Sequence, residues 1–169
     1  MQVTDLVRLY DYAYWANKKL LNVVAQLSSE EFTRIIGGSY GSIRNTLVHT
    51  LSAEWGWLER CGGPPRGARL KAEDFPTPSS VISAWDKVEG FVRQYLSTLT
   101  DDDLTPDVEY AFGQGPKHAI QRGHLLQHAA NHGVHHRGQV ALMLRMIGHA
   151  PGDFDILFYE EEKEAARVG

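Results

Sequence analysis

Eight histidines, six of them between His118 and His136, are the residues of this chain whose types and spacing could do chemistry. His132 and His136 stand four apart. On a helix, residues at that spacing differ by about 40° in direction and roughly 6 Å along the axis. Two imidazoles so placed can converge on one ion about 2.0–2.1 Å from each nitrogen, and pairing them there relieves the cost of burying polar rings. A third ligand must come from another helix, and outside the cluster only His49 and His149 remain. His149 follows the helix-ending Gly148, so His49 is the candidate. It aligns with Thr46, Ala53 and Gly56, small residues that would leave space beside an ion. Two alternatives stay open at this point. His128, one helical step before His132, could be a fourth ligand or a supporting group. His135 could replace His136, although His136 better follows the apolar stripe. His118, His124 and His149 read as ordinary surface or hydrogen-bonded histidines.

Competing chemistries find no matching pattern. The zinc-protease motif needs Glu after the first His, and Gly133 stands there. Di-iron carboxylate bundles need Glu-x-x-His pairs, of which the chain has none. There is no Walker or dinucleotide glycine motif and no local signature of Ser-His-Asp or Cys-His catalysis. Cys61 is the only cysteine, which rules out an intrachain disulfide; the residue reads as incidental. The net charge of −4, with no run of Lys or Arg, argues against a nucleic-acid partner. No stretch approaches the roughly 18 apolar residues needed to cross a bilayer. Asp5 and Arg8 interrupt the start where a signal peptide would be apolar. A cytoplasmic protein without a membrane partner is expected.

The elements that must position these histidines follow from apolar periodicity. Leu6, Tyr10, Ala13, Asn17, Leu20, Val24 and Leu27 form a stripe over a first helix from about Val3 to Leu27, with Asn17 its polar interruption. Ser28 and Glu31 have capping-box spacing for a short turn, which Gly37-Gly38-Ser39 breaks. A second helix from about Ser42 to Arg60 carries Ile43, Leu47, Leu51, Glu54 and Leu58 on one face and ends at Gly62-Gly63-Pro64-Pro65. Residues 66–76 read as a loop. Thr77-Pro78 opens a third helix with Val81, Trp85, Val88, Val92, Tyr95 and Leu99 as its stripe, so Trp85 and Tyr95 are expected in the core. Val108, Tyr110 and Phe112 alternate before Gly113-Gln114-Gly115, which predicts a small hairpin or extended loop. A last long helix runs from about Ile120 to Ile147, with Leu125, Ala129, His132, His136, Val140, Met143 and Ile147 on one side. The pattern predicts an all-α four-helix bundle and one domain over 1–169. The tail keeps an apolar patch, Phe154 to Tyr159, that could serve a dimer contact.

Two segments make the chain similar to a known family. Asn131-His132-Gly133-Val134-His135-His136-Arg137-Gly138-Gln139 and Ser42-Ile43-Arg44-Asn45-Thr46-Leu47-Val48-His49 resemble the DinB-like (damage-inducible) family of metal-dependent four-helix bundle proteins. Tyr14-Trp15-Ala16-Asn17 and Ala53-Glu54-Trp55 extend the resemblance over nearly the whole chain. It implies an up-down-down-up bundle, commonly a homodimer, with one ligand on the second long helix and two, four apart, on the last. On this sequence these positions are His49, His132 and His136.

Three neutral imidazoles would leave a divalent ion an open position, the arrangement of catalytic sites. Zn²⁺ and Ni²⁺ both suit imidazole. The family implies enzymes that act on small molecules, including S-transferases that use a low-molecular-weight thiol, and the expectation is an ion that activates thiol or water. Asn17, Arg137 and Gln139 are candidates for support or substrate contact, with Asn17 the one that reads best as helix pairing. The competing expectation is a non-catalytic, stress-associated protein whose ion secures the fold. An open position beside a cavity favours the first; a saturated ion in a dry core favours the second.

Overall fold

Ser42 and Thr77 set where two of the long helices begin. The Ser42 hydroxyl accepts the Asn45 N–H at 3.1 Å, and the Thr77 hydroxyl accepts that of Ser80 at 3.3 Å. Each thereby satisfies a donor that a first helical turn leaves free. Pro78 follows Thr77, where its missing N–H removes no hydrogen bond. The computed structural model describes residues 1–38 and 40–168. It contains α1 (Val3–Val24), α2 (Ser29–Thr33), α3 (Ile43–Arg60), α4 (Pro78–Leu96), β1 (Asp107–Tyr110), β2 (His118–Gln121), α5 (Arg122–Met146) and α6 (Ile156–Val168). Ser39, the end of the expected Gly37-Gly38-Ser39 break, lies outside the described residues.

Most of the predicted stripe residues form the core; Tyr95 and Leu99 of the third stripe and His132 and Ile147 of the last are half-buried. Leu6, Tyr10, Ala13, Asn17, Leu20 and Val24 of α1 are buried, as are Ile43, Leu47, Leu51, Glu54 and Leu58 of α3. Val81, Trp85, Val88 and Val92 of α4 and Leu125, Ala129, Val140 and Met143 of α5 belong to the same interior. Both α1 and α3 pack against α4 and α5.

Residue pairs fix the directions. The Tyr10 hydroxyl donates to the Leu126 carbonyl, and Arg137 reaches Asn17, so α1 and α5 run parallel. Trp57 lies against His128 while Thr46 lies near Met143, so α3 and α5 run opposite ways. Trp55 packs on Phe91 and Tyr95 donates to the Cys61 carbonyl, which makes α3 and α4 parallel. The order is up-down-down-up. Parallel α3 and α4 require the chain to return the length of the bundle between them, and residues 61–77 make that return along the side of α3. This crossover holds a short 3₁₀ turn, Ala72–Asp74.

Three boundaries differ from the periodicity. The first helix ends at Val24, with Ala25 as its C-cap, short of Leu27, and α4 ends at Leu96, short of Leu99. The expected hairpin forms as an antiparallel pair, and Ile120 belongs to it opposite Val108. The last long helix therefore starts at Arg122, whose N–H is taken by the Pro106 carbonyl. The tail after Pro151 ends in α6, which lies on the outer face of α1. Tyr159 packs against Tyr12 and Trp15, Arg8 pairs with Glu160, and Lys19 and Trp15 both donate to Glu162. Leu157 and Phe158 stay exposed. Among the described residues no helix is long and apolar enough to cross a membrane.

Candidate metal centre

Antiparallel packing of α3 on α5 brings His49 opposite His132 and His136. The ligand nitrogens of the three histidines all lie within 4.8 Å of one another. Nε2 of His132 is 3.3 Å from Nε2 of His49 and 3.0 Å from Nε2 of His136. Two ligands held 2.0–2.1 Å from a tetrahedral ion sit about 3.3 Å apart, so these spacings suit one shared ion. No further His, Cys, Asp or Glu joins the group among the described residues.

Hydrogen bonds set the tautomer of His136. Its Nδ1 is 2.8 Å from Oε1 of Gln139, and Nε2 of Gln139 is 3.0 Å from Nε2 of His135. The amide oxygen accepts the Nδ1 proton, which leaves the Nε2 lone pair of His136 facing the other two rings. Gln139 then donates its own proton to His135. One amide thus separates the neighbours: His136 turns into the cluster, and His135, exposed, supports Gln139 from outside.

The cluster also disfavours protons. Burial, with the charges of His136 and Arg69 adding to it, pushes His49 down to about 4. Burial and the surrounding histidines take His132 to about 4 as well. Burial lowers His136, against the opposing effect of the hydrogen bond it donates to Gln139. At neutral pH all three rings are neutral, the state a metal ligand requires. Nδ1 of His49 is buried without a hydrogen-bond partner.

The remaining histidines fall elsewhere. His128 is exposed and stands edge-on to Trp57, its ring 5.9 Å from that of His132. His118 lies beside Tyr110 on the hairpin, His124 is exposed, and His149 meets Glu31 at 3.1 Å. Asn17 accepts a hydrogen bond from Arg137 at 2.9 Å, both buried, so the pair ties α1 to α5. Trp85 is in the core and Tyr95 is half-buried at its edge. Cys61 is buried, and burial pushes its thiol up to about 11, away from nucleophilic use.

The strip of small residues does leave space. Ala53 and Gly56 line a cavity of about 320 Å³ that His49 borders. Thr46 is not part of it; its side chain is fully buried and bonded to the Ser42 carbonyl. Two features of the site have no periodic signal in the sequence. The Tyr40 ring stacks on His49 at 4.0 Å, with its hydroxyl 2.9 Å from Nε2 of that residue. Arg60, Arg66 and Arg69 surround the cavity. Loop residues bring in Tyr40, Arg66 and Arg69, and only an aromatic or cationic residue next to glycine turns hints at them.

Comparison with known proteins agrees with this fold. The profile of the DinB family matches residues 1–167. Protein DinB of Bacillus subtilis (strain 168) is 28% identical over 169 residues, covering 94% of this chain and 96% of the relative. The uncharacterized protein YizA of the same organism is 23% identical over 146 residues, covering 86% and 90%. Among solved structures, a DinB-like protein from Bacillus cereus ATCC 10987 superposes with a TM-score of 0.75 at 23% identity, covering 90% of this chain and 97% of that one. A conserved protein from Enterococcus faecalis gives 0.60 at 15%, covering 86% and 96%. The two structures share the bundle fold.

Proposed function

This chain belongs to the DinB family, and we propose that it is a metal-dependent enzyme acting on a small molecule, with His49, His132 and His136 as the ligands of one divalent ion. The observation that carries this reading is the convergence of three neutral imidazole nitrogens on one point, with a cavity bordered by one of the three, His49. Three protein ligands with space alongside is the pattern of an open site. A divalent zinc or nickel ion there would lower the pKa of a coordinated thiol or water and supply a nucleophile at neutral pH.

The protein's own groups have separate tasks in this reading. His132 and His136 present their nitrogens from successive turns of α5, and His49 completes the set from α3. Gln139 holds His136 in the required tautomer. Tyr40 covers one face of His49 and brings a hydroxyl to the same nitrogen. The cavity receives the substrate, and a low-molecular-weight thiol is the proposed co-substrate. A cytoplasmic homodimer is the form in which we propose it works. The non-catalytic alternative expects a closed, dry site, and the cavity beside His49 weighs against it.

Elemental analysis of protein purified without an affinity tag or added metal tests the assignment. About one equivalent of zinc or nickel per chain, lost in His49→Ala, is the expected result. Protein that is metal-free and cannot be reconstituted would make the histidines core polar groups and end the enzymatic reading.

A further inference from the structure

The cavity beside His49 is cationic, lined by three arginines. Its lining includes His49, Ser52, Gly56, Arg60, Arg66 and Arg69. At about 320 Å³ it is the size of a small-molecule pocket. Among the described residues, none of the three arginines makes a salt bridge with a carboxylate. The nearby Glu59 carboxylate offsets part of the mutual repulsion, but it accepts the backbone N–H of Arg66 and not a guanidinium.

The Arg66 guanidinium is built into place. Nη1 donates to the Ser52 carbonyl at 2.6 Å and to the Ser52 hydroxyl at 3.1 Å. Its Nε is buried with no acceptor. Arg60 donates from Nη1 to the Gly56 carbonyl at 2.9 Å. Both guanidiniums close over Gly56, where a Cβ would stand 2.8 Å from Nη1 of Arg66 and 3.3 Å from Nη1 of Arg60. Glycine inside a helix is unfavourable relative to alanine. Here it lets two like charges approach the backbone of α3. Tethering the crossover to α3 would account for the bonds from Arg66 to Ser52. It does not account for the orphaned Nε or for Arg69; Arg60, which lies over the Trp57 ring at 5.1 Å, adds a third cation to the same lining.

We propose that this cavity binds a carboxylate or phosphate group, so that the substrate is a small anion. Arg66 holds the anionic end with Arg60 and Arg69, and the remainder of the molecule extends past His49 toward the cluster. As a statement about substrate this rests on the activity proposed above, whereas anion binding itself requires no metal. A guanidinium suits either group, because its donors match a pair of oxygens and the bonds are charge-assisted.

The test titrates inorganic phosphate and succinate separately into the full-length protein at constant ionic strength, with chloride as reference. Binding heat and the Nε–Hε magnetic resonance signal of Arg66 are followed, and metal content is measured on the same samples. The expected result is saturable binding of at least one anion, a shift of the Arg66 signal, and affinity about tenfold lower in Arg66→Gln. Which anion binds separates carboxylate from phosphate. Arg69→Gln, which removes an exposed side chain, weakens binding severalfold and guards against a folding defect in the first variant. No saturable binding to wild-type protein, or equal affinity in wild type and both variants, overturns the proposal. Arg66-dependent anion binding by protein that cannot hold metal would sustain the anion site and sink the metal assignment; one metal equivalent without anion binding would do the reverse.

Discussion

Nδ1 of His136 and Oε1 of Gln139 lie 2.8 Å apart, one turn along α5, and this contact decides which nitrogen His136 offers to the cluster. Groups that orient a ligand in this way typically change metal affinity by about 10–100-fold when removed. Gln139→Ala should therefore weaken zinc or nickel binding within that range, read by competition against a chelator, while leaving the stoichiometry at one. Affinity equal to wild type would mean that packing alone orients the ring.

The distinction between cluster and surface histidines predicts a contrast on one helix. His132 lies between the other two rings, whereas His124 is exposed two turns earlier on α5. His132→Ala should lose the ion and His124→Ala should keep it. Equal metal content in the two variants would sink the assignment.

What the sequence revealed depended on periodicity. His132 and His136 were legible because a spacing of four on an apolar stripe has one geometric consequence. His49 followed because few histidines remained. Periodicity favoured His136, which follows the stripe, but left His135 open; the Gln139 amide makes the distinction. The α6 helix was hidden for a different reason. It packs on the outside of α1 through Tyr159 and ion pairs, so it has one buried residue and no interior stripe. Arg66 and Arg69 belong to a crossover without repeating pattern, and only folding lays it along α3.

Asn17 and Arg137 should matter for stability and not for metal. Arg137 is buried, donates to Asn17 at 2.9 Å, and has a second nitrogen, Nη2, already without a partner. Asn17→Ala removes an acceptor from a buried charged group, at a cost of about 1–3 kcal/mol. Chemical denaturation should show that loss while elemental analysis shows unchanged metal. The opposite outcome, lost metal at unchanged stability, would place Asn17 in the functional site.

Acid should destabilise the metal-free protein, and the sign can be worked out from two kinds of group. His49 and His132 are lowered from 6.5 to about 4 by burial, so between those values the unfolded chain binds protons that the folded chain does not. Their contribution is complete above about 6.5 and is lost as pH falls through about 4; His136, also lowered, acts in the same direction. Glu54 works against them. Burial raises it from 4.5 to about 7, so its contribution is complete below 4.5 and is lost as pH rises through about 7. Three lowered histidines outweigh one raised carboxyl over the range they share. The denaturation midpoint of chelator-treated protein should fall as pH drops from about 6.5 to about 4. Glu54→Gln removes the opposing titration but keeps an acceptor for the Tyr14 hydroxyl, which donates to Glu54 at 2.5 Å. That variant should lose stability with acid more steeply than wild type. A midpoint that stays level or rises on acidification would show that the three rings are protonated as readily in the fold as in the unfolded chain, and a cluster of that kind would not favour a cation.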